Sequence, residues 1–137
     1  MRETRVSGPD LGEDGGDRRI LIVDDDALLL AVMGEIARGA GFRVETLSEG
    51  GRLLDAVAGF RPGCIVMDLS IPDIDGVEIL KALAASGCGT PIVIVSSHPA
   101  AFLEDVRRLG GALGLTMRAV LEKPFATSDF LAAIGGS

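Results

Sequence analysis

Three stretches of this sequence place four apolar residues in a row, and each stops on a polar head. Ile20-Leu21-Ile22-Val23 stops at Asp24, Cys64-Ile65-Val66-Met67 at Asp68, and Ile92-Val93-Ile94-Val95 at Ser96. A short apolar run without alternation suits a strand buried on both faces, the kind found in parallel sheets covered by helices on either side. In such sheets ligands bind outside the carboxyl ends of the strands. Asp68 therefore stands where chemistry is expected, ahead of a loop with Pro72 that Asp75-Gly76 closes.

The segments between these runs read as helices and two less buried strands. Leu29, Val32, Met33, Ile36 and Ala40 recur at helical spacing, and Gly41 supplies a stop. Phe42 to Leu47 alternates, as an edge strand does. Ser48 is placed to cap a second helix with Leu53, Leu54 and Val57 inward. Arg61-Pro62-Gly63 reads as a turn, and a third helix is expected over about Val77 to Ser86, facing Ile79, Leu80 and Leu83 to the core. Phe102, Leu103, Val106, Leu109 and Leu113 mark a fourth helix, with Gly110-Gly111 a weak point inside it. Ala119-Val120-Leu121 reads as a fifth strand before Glu122-Lys123-Pro124, and Phe125, Phe130, Leu131 and Ile134 as a short last helix. Strands alternating with helices imply an α/β fold with right-handed crossovers. With strands one, three and four interior, the expected architecture is a single (βα)5 flavodoxin-like, doubly wound parallel sheet of order 2-1-3-4-5.

At 137 residues the chain has room for one domain. Residues 1–19 are rich in Gly, Asp and Arg and bury too little to offset ordering, so they are expected to form a flexible tail before a domain over 20–137. The net charge of −7 speaks against a nucleic-acid partner, which needs clustered Lys and Arg. Cys64 and Cys88 lack metal-ligand spacing and there is one His, so zinc is not expected and both thiols read as reduced. No apolar stretch approaches a membrane span and no signal-peptide segment is visible, giving the expectation of a cytoplasmic protein.

Reading the strand ends together collects Asp24, Asp25 and Asp26, then Asp68, then Ser96 and Ser97, then Lys123. Carboxylates crowded on one sheet edge repel unless a cation is held among them. Oxygen ligands without His or Cys suit a hard ion, and Mg²⁺ is the usual choice where phosphate is handled. Lys123 and a Ser hydroxyl supply a cation and a donor for phosphoryl oxygens. An ionised Asp in that company can attack an activated phosphorus and become an acyl phosphate. The nucleotide-cradling Gly-rich loop is absent, so the donor must be external.

Val23-Asp24-Asp25, Met67-Asp68, Pro72-x-x-Asp75-Gly76, Ser96 and Lys123-Pro124-Phe125 together resemble the receiver domain of two-component response regulators. The resemblance runs from Ile20 to about Ile134. It implies Asp68 as phosphoacceptor, Asp24 and Asp25 as Mg²⁺-binding acids, and the Ser70 backbone carbonyl as a further ligand. It also implies Ser96 as the switch hydroxyl, Lys123 as the phosphoryl-pairing cation, and a cis peptide at Lys123-Pro124. The implied partners are a sensor histidine kinase or histidine phosphotransfer protein and an unnamed downstream target. The implied output surface is the fourth helix, fifth strand and fifth helix. Such a domain catalyses only its own phosphorylation and dephosphorylation, and so is not an enzyme in the ordinary sense.

This sequence departs from the resemblance at Val120, where an aromatic toggle is usual, and it has no Tyr or Trp at all. The text from Ala112 to Phe125 looks like receivers joined to cyclic-di-GMP phosphodiesterase (EAL-type) outputs. Asp26 reads as a helix cap, Asp73 and Asp75 as loop acids, and Ser97 as a neighbour of the switch residue. His98 reads either as a solvated loop residue or as a gate on water reaching the phosphoryl group, a position that Ser70 shares beside Asp68. A haloacid-dehalogenase-type phosphatase would need an acid where Ser70 stands, and a flavodoxin would need a phosphate loop where three acids stand. A pseudo-receiver that binds partners without being phosphorylated is the remaining alternative.

Overall fold

The computed structural model describes residues 18–71 and 75–135; residues 1–17 of the tail expected over 1–19, together with Pro72, Asp73 and Ile74, lie outside the described residues. The elements are β1 (Arg19–Val23), α1 (Ala27–Gly39), β2 (Arg43–Leu47), α2 (Leu53–Phe60) and β3 (Cys64–Asp68). They continue with α3 (Gly76–Ala85), β4 (Ile92–Ser96), α4 (Ala100–Ala112), β5 (Met117–Glu122) and α5 (Thr127–Gly135). All pairings are parallel, and the order across the sheet is β2-β1-β3-β4-β5. The three apolar runs form the interior strands, as their lack of alternation requires. β2 is an edge with half-exposed residues.

Strand alternation divides the core into two layers. Leu21, Val23, Ile65, Met67, Ile92 and Ile94 face α2, α3 and α4, where Leu53, Leu80, Leu83, Leu103 and Val106 meet them. Ile20, Ile22, Val66, Val93 and Val95 face the other way, onto Leu30, Met33 and Ala37 of α1 and Phe130 and Ile134 of α5. Every residue of β3 and β4 is buried. Burying these branched side chains is the main driving force for the fold.

Two helices begin on acids that the sequence offers. Asp26 caps α1, its carboxylate accepting from the N–H groups of Leu28 and Leu29 at 3.1 Å each. Asp75 caps α3 by accepting from the Val77 N–H at 2.9 Å. Gly76 follows it because a Cβ there would lie 2.8 Å from the Leu69 side chain and 2.9 Å from its backbone. That close approach seats α3 against the residue after Asp68.

Several local expectations give way to the structure. Ser48 does not cap α2: the chain first tightens into a 3-10 turn at Gly50–Arg52, and α2 starts after Arg52 without a side-chain cap. Leu54 faces outward, 43 % exposed, while Leu53 is buried. In α1 the buried stripe is Leu30, Met33, Gly34 and Ala37, leaving Val32 of the expected stripe exposed. Gly110 does not break α4; the helix runs through it, and its missing Cβ leaves room for the Met117 side chain of β5. β1 starts at Arg19 rather than Ile20, and β5 extends over Met117–Glu122 rather than three residues.

Candidate functional site

Strand register assembles the site. Val23 stands opposite Met67, so Asp24 comes alongside Asp68. Asp68 stands opposite Val95 and Ser96 opposite Glu122, which brings the start of the next loops, and Lys123, to the same edge. By alternation Asp24, Asp68 and Lys123 lean toward the α1 and α5 layer, whereas Ser96 leans toward α4.

Asp24 is fully buried and Asp68 is 3 % exposed, and their carboxylates are held in the same manner. One oxygen of each takes a backbone N–H: Asp26 donates to Asp24 Oδ1 at 2.9 Å, and Ser70 donates to Asp68 Oδ1 at 3.0 Å. The other oxygen of each faces Lys123, whose Nζ donates to Asp24 Oδ2 at 2.9 Å and to Asp68 Oδ2 at 3.2 Å. Burial pulls the Lys123 ammonium down, but its hydrogen bond to Asp24 and the charges of Asp68 and Asp24 outweigh that, and its pKa lies above the ordinary lysine value. Lys123 is placed by its own backbone, whose N–H donates to the Ser96 carbonyl at 2.7 Å, and a cis peptide joins it to Pro124.

Asp25 completes the acidic group from the exposed side, with carboxylate oxygens of Asp24, Asp25 and Asp68 all within 4.8 Å of one another. Three carboxylates against one ammonium leave the cluster negative, and its donors are oxygens only, so it fits a hard divalent cation such as Mg²⁺. Asp26, though adjacent, is turned away into its capping role. Ser70 is present through its N–H on Asp68.

Ser96 and His98 form a second part of the site. Ser96 is completely buried, and its Oγ lies 2.6 Å from His98 Nδ1 and accepts from the His98 N–H at 3.1 Å. The hydroxyl therefore faces His98 and not the carboxylates. His98 is half-buried and packs on Phe102 of α4, the ring centroids 4.7 Å apart. Val120 packs into the core layer beneath α4. Beside Lys123 a groove of about 450 Å³ opens between α1 and the start of α5, lined by Leu29, Val32, Ile36, Ser97, Pro124 and Phe125. Sequence reading missed this groove; its signal was a second apolar stripe on α1, with Leu28 76 % exposed.

The family model for the response regulator receiver domain matches residues 20–135. The chain belongs to the response regulator receiver domain family. Among curated relatives, this receiver is 34% identical over 115 residues to the transcriptional regulatory protein FixJ of Bradyrhizobium diazoefficiens, an alignment covering 84% of this chain and 54% of FixJ. It is 36% identical over 80 residues to the DNA-binding response regulator MtrA of Mycobacterium tuberculosis, covering 58% of this chain and 35% of MtrA. The receiver thus spans about half the length of FixJ and about a third of MtrA. Its fold matches that of a CheY-like receiver from Methanospirillum hungatei with a TM-score of 0.76 at 25% identity, over 88% of this chain and 92% of that one. A response regulator from Burkholderia pseudomallei, 17% identical, shares the fold with a TM-score of 0.72 over 86% of this chain and 66% of that one.

Proposed function

We propose that this receiver takes a phosphoryl group onto Asp68 from a histidine of a sensor kinase or phosphotransfer protein. The observation that carries the reading is the setting of the Asp68 carboxylate. It sits at the mouth of a fully buried strand with one oxygen fixed by the Ser70 N–H and the other beside the Lys123 ammonium. An Asp68 oxygen forms the new P–O bond as the donor's P–N bond breaks, and the electron pair returns to the imidazole nitrogen, which takes up a proton. Hydrolysis reverses the modification, water attacking phosphorus to release inorganic phosphate and restore the carboxylate.

Asp24, Asp25, Asp68 and the Ser70 carbonyl are the groups assigned to hold Mg²⁺. When bound, the ion supplies charge neutralisation for the phosphoryl oxygens. The Burkholderia pseudomallei protein, solved with a phosphorylated aspartic acid and a calcium ion, supports the pairing of such a modification with a divalent cation. Lys123 neutralises a phosphoryl oxygen from the opposite side, and the Ser96 hydroxyl turns from His98 to donate to another. The groove along α1 suits an apolar helix face carrying the donor histidine, since it opens directly beside Lys123. The acidic net charge supports protein partners over nucleic acid for this chain. The stretch from Ala112 to Phe125 supports an output of the cyclic-di-GMP phosphodiesterase kind, whereas FixJ is a transcriptional regulatory protein and MtrA a DNA-binding response regulator.

The test is intact-protein mass after incubation with a small acyl-phosphate donor, with and without Mg²⁺, for wild type and Asp68→Asn. The expected result is a Mg²⁺-dependent gain of one phosphoryl group in wild type alone. A folded wild type that gains nothing would instead be a pseudo-receiver.

A further inference from the structure

We propose that His98 relays the state of the Ser96 hydroxyl to α4, taking the part that an aromatic residue at position 120 would otherwise play. The inference rests on the reading of Ser96 as the switch hydroxyl. The Ser96 Oγ accepts from the His98 backbone N–H at 3.1 Å and lies 2.6 Å from His98 Nδ1, so hydroxyl and ring share a hydrogen bond in either ring tautomer. The orientation of this half-buried ring is thereby tied to the Ser96 hydroxyl.

The other face of the relay is Phe102. It lies in the first turn of α4, 40 % exposed, and is not a core anchor; Leu103 and Val106 are the buried residues of that helix. Its ring contact is with His98, the planes tilted by 35°. α4 begins after Pro99 without a side-chain cap, so its first turn is held by buried Leu103 and by this contact. Val120 is aliphatic and packs, half-buried, against the core layer, and no Tyr or Trp exists elsewhere to replace it. The path from hydroxyl to helix therefore runs through one ring pair on a single short segment.

When the Ser96 hydroxyl turns to a phosphoryl oxygen on Asp68, the hydrogen bond to Nδ1 is lost. The imidazole then retains only its stacking and its backbone, and the first turn of α4 repacks with it. The expected output is a shift of α4 at Phe102 rather than a side-chain swing at Val120.

The chain has one His, so the imidazole nitrogens give a single assignable pair of NMR signals. Phosphorylation of the wild type is expected to move the Nδ1 signal toward that of an unbonded ring nitrogen and to shift the amides of the first turn of α4. His98→Phe keeps a ring without Nδ1, and His98→Asn keeps a hydrogen-bonding group without the ring. With each variant brought fully to the phosphorylated state, the α4 amide shifts are expected to fall at least about threefold as the two states cease to differ there. Phe102→Ala, a change at an exposed site, is expected to preserve the Nδ1 response and lose the α4 response. Unchanged α4 shifts in phosphorylated His98→Phe and His98→Asn, or an Nδ1 signal indifferent to phosphorylation, would overturn the relay alone. A wild type that gains no mass would overturn the relay and the receiver chemistry together.

Discussion

The backbone N–H of Lys123 donates to the carbonyl of Ser96 at 2.7 Å. Two residues far apart in sequence are thereby neighbours across the ends of β4 and β5, with their side chains sent to opposite faces of the sheet. Lys123 reaches Asp24 and Asp68, while Ser96 reaches His98. A phosphoryl group on Asp68 would be the one ligand to draw both side chains toward the same place.

Removing the cation should separate metal binding from signalling. Lys123→Ala leaves all three carboxylates in place but leaves Asp24 and Asp68 buried without their ammonium. In Mg²⁺-free buffer it is expected to lose about 1–3 kcal/mol in urea unfolding. Mg²⁺ should restore part of that loss, and phosphorylated Lys123→Ala should show no shift of the α4 amides.

Neighbouring acids should give opposite results. Mg²⁺ at about a hundred times its dissociation constant should stabilise wild type by about 2.7 kcal/mol. Asp25→Asn should abolish that gain without harming the metal-free fold, because Asp25 is exposed and belongs to the acidic group. Asp26→Ala should keep the gain and cost about 1 kcal/mol through loss of the α1 cap. Thermal unfolding with and without Mg²⁺ reads both.

Cys64 should behave as a buried thiol. Burial pushes its pKa up to about 11, against a smaller opposing effect of the Arg118 charge and hydrogen bond. The folded state then holds its proton where the unfolded state has lost it, so the contribution is complete below pH 9.0 and disappears as pH rises toward about 11. The loss amounts to roughly 2–3 kcal/mol at about 1.4 kcal/mol per pKa unit. Unfolding measured across that window should fall more steeply for wild type than for Cys64→Ala. A thiol reagent should label the half-buried Cys88 in the native protein and Cys64 only on unfolding.

Two adjacent glycines should also diverge. A Cβ at Gly110 collides with the Met117 side chain, so Gly110→Ala should destabilise by about 1–3 kcal/mol. Gly111 has open space around it, and Gly111→Ala should stabilise by roughly 0.5–1 kcal/mol through helix propensity. Chemical denaturation of the pair decides it.

The sheet was legible because β1, β3 and β4 each carry four consecutive apolar residues that end on a polar one, a pattern that suits interior strands, and the strand ends then named Asp24, Asp68, Ser96 and Lys123 as neighbours. Helix faces were less legible. α1 has two apolar stripes, one for the core and one for the groove, and periodicity alone does not say which is which. Ser48 read as a cap because residue type signals a helix start, but the 3-10 turn at Gly50–Arg52 delays that start. Gly110 read as a flaw because propensity is local, while its reason, Met117, lies across the fold. His98 was ambiguous for a similar cause: whether a loop imidazole turns to solvent or to a hydroxyl depends on the path of the backbone.

The close packing at Gly110 makes α4 mechanically uneven. Its C-terminal turn is pressed onto β5 at Met117, while its N-terminal turn has no side-chain cap and an exposed Phe102. Between the two ends Leu103 and Val106 hold the helix to the core. Phe102 lies beyond these anchors, roughly 12 Å along the axis from Gly110 at 1.5 Å per residue. A push on Phe102 should pivot the helix about its buried residues, so that the surface near Pro99 travels furthest.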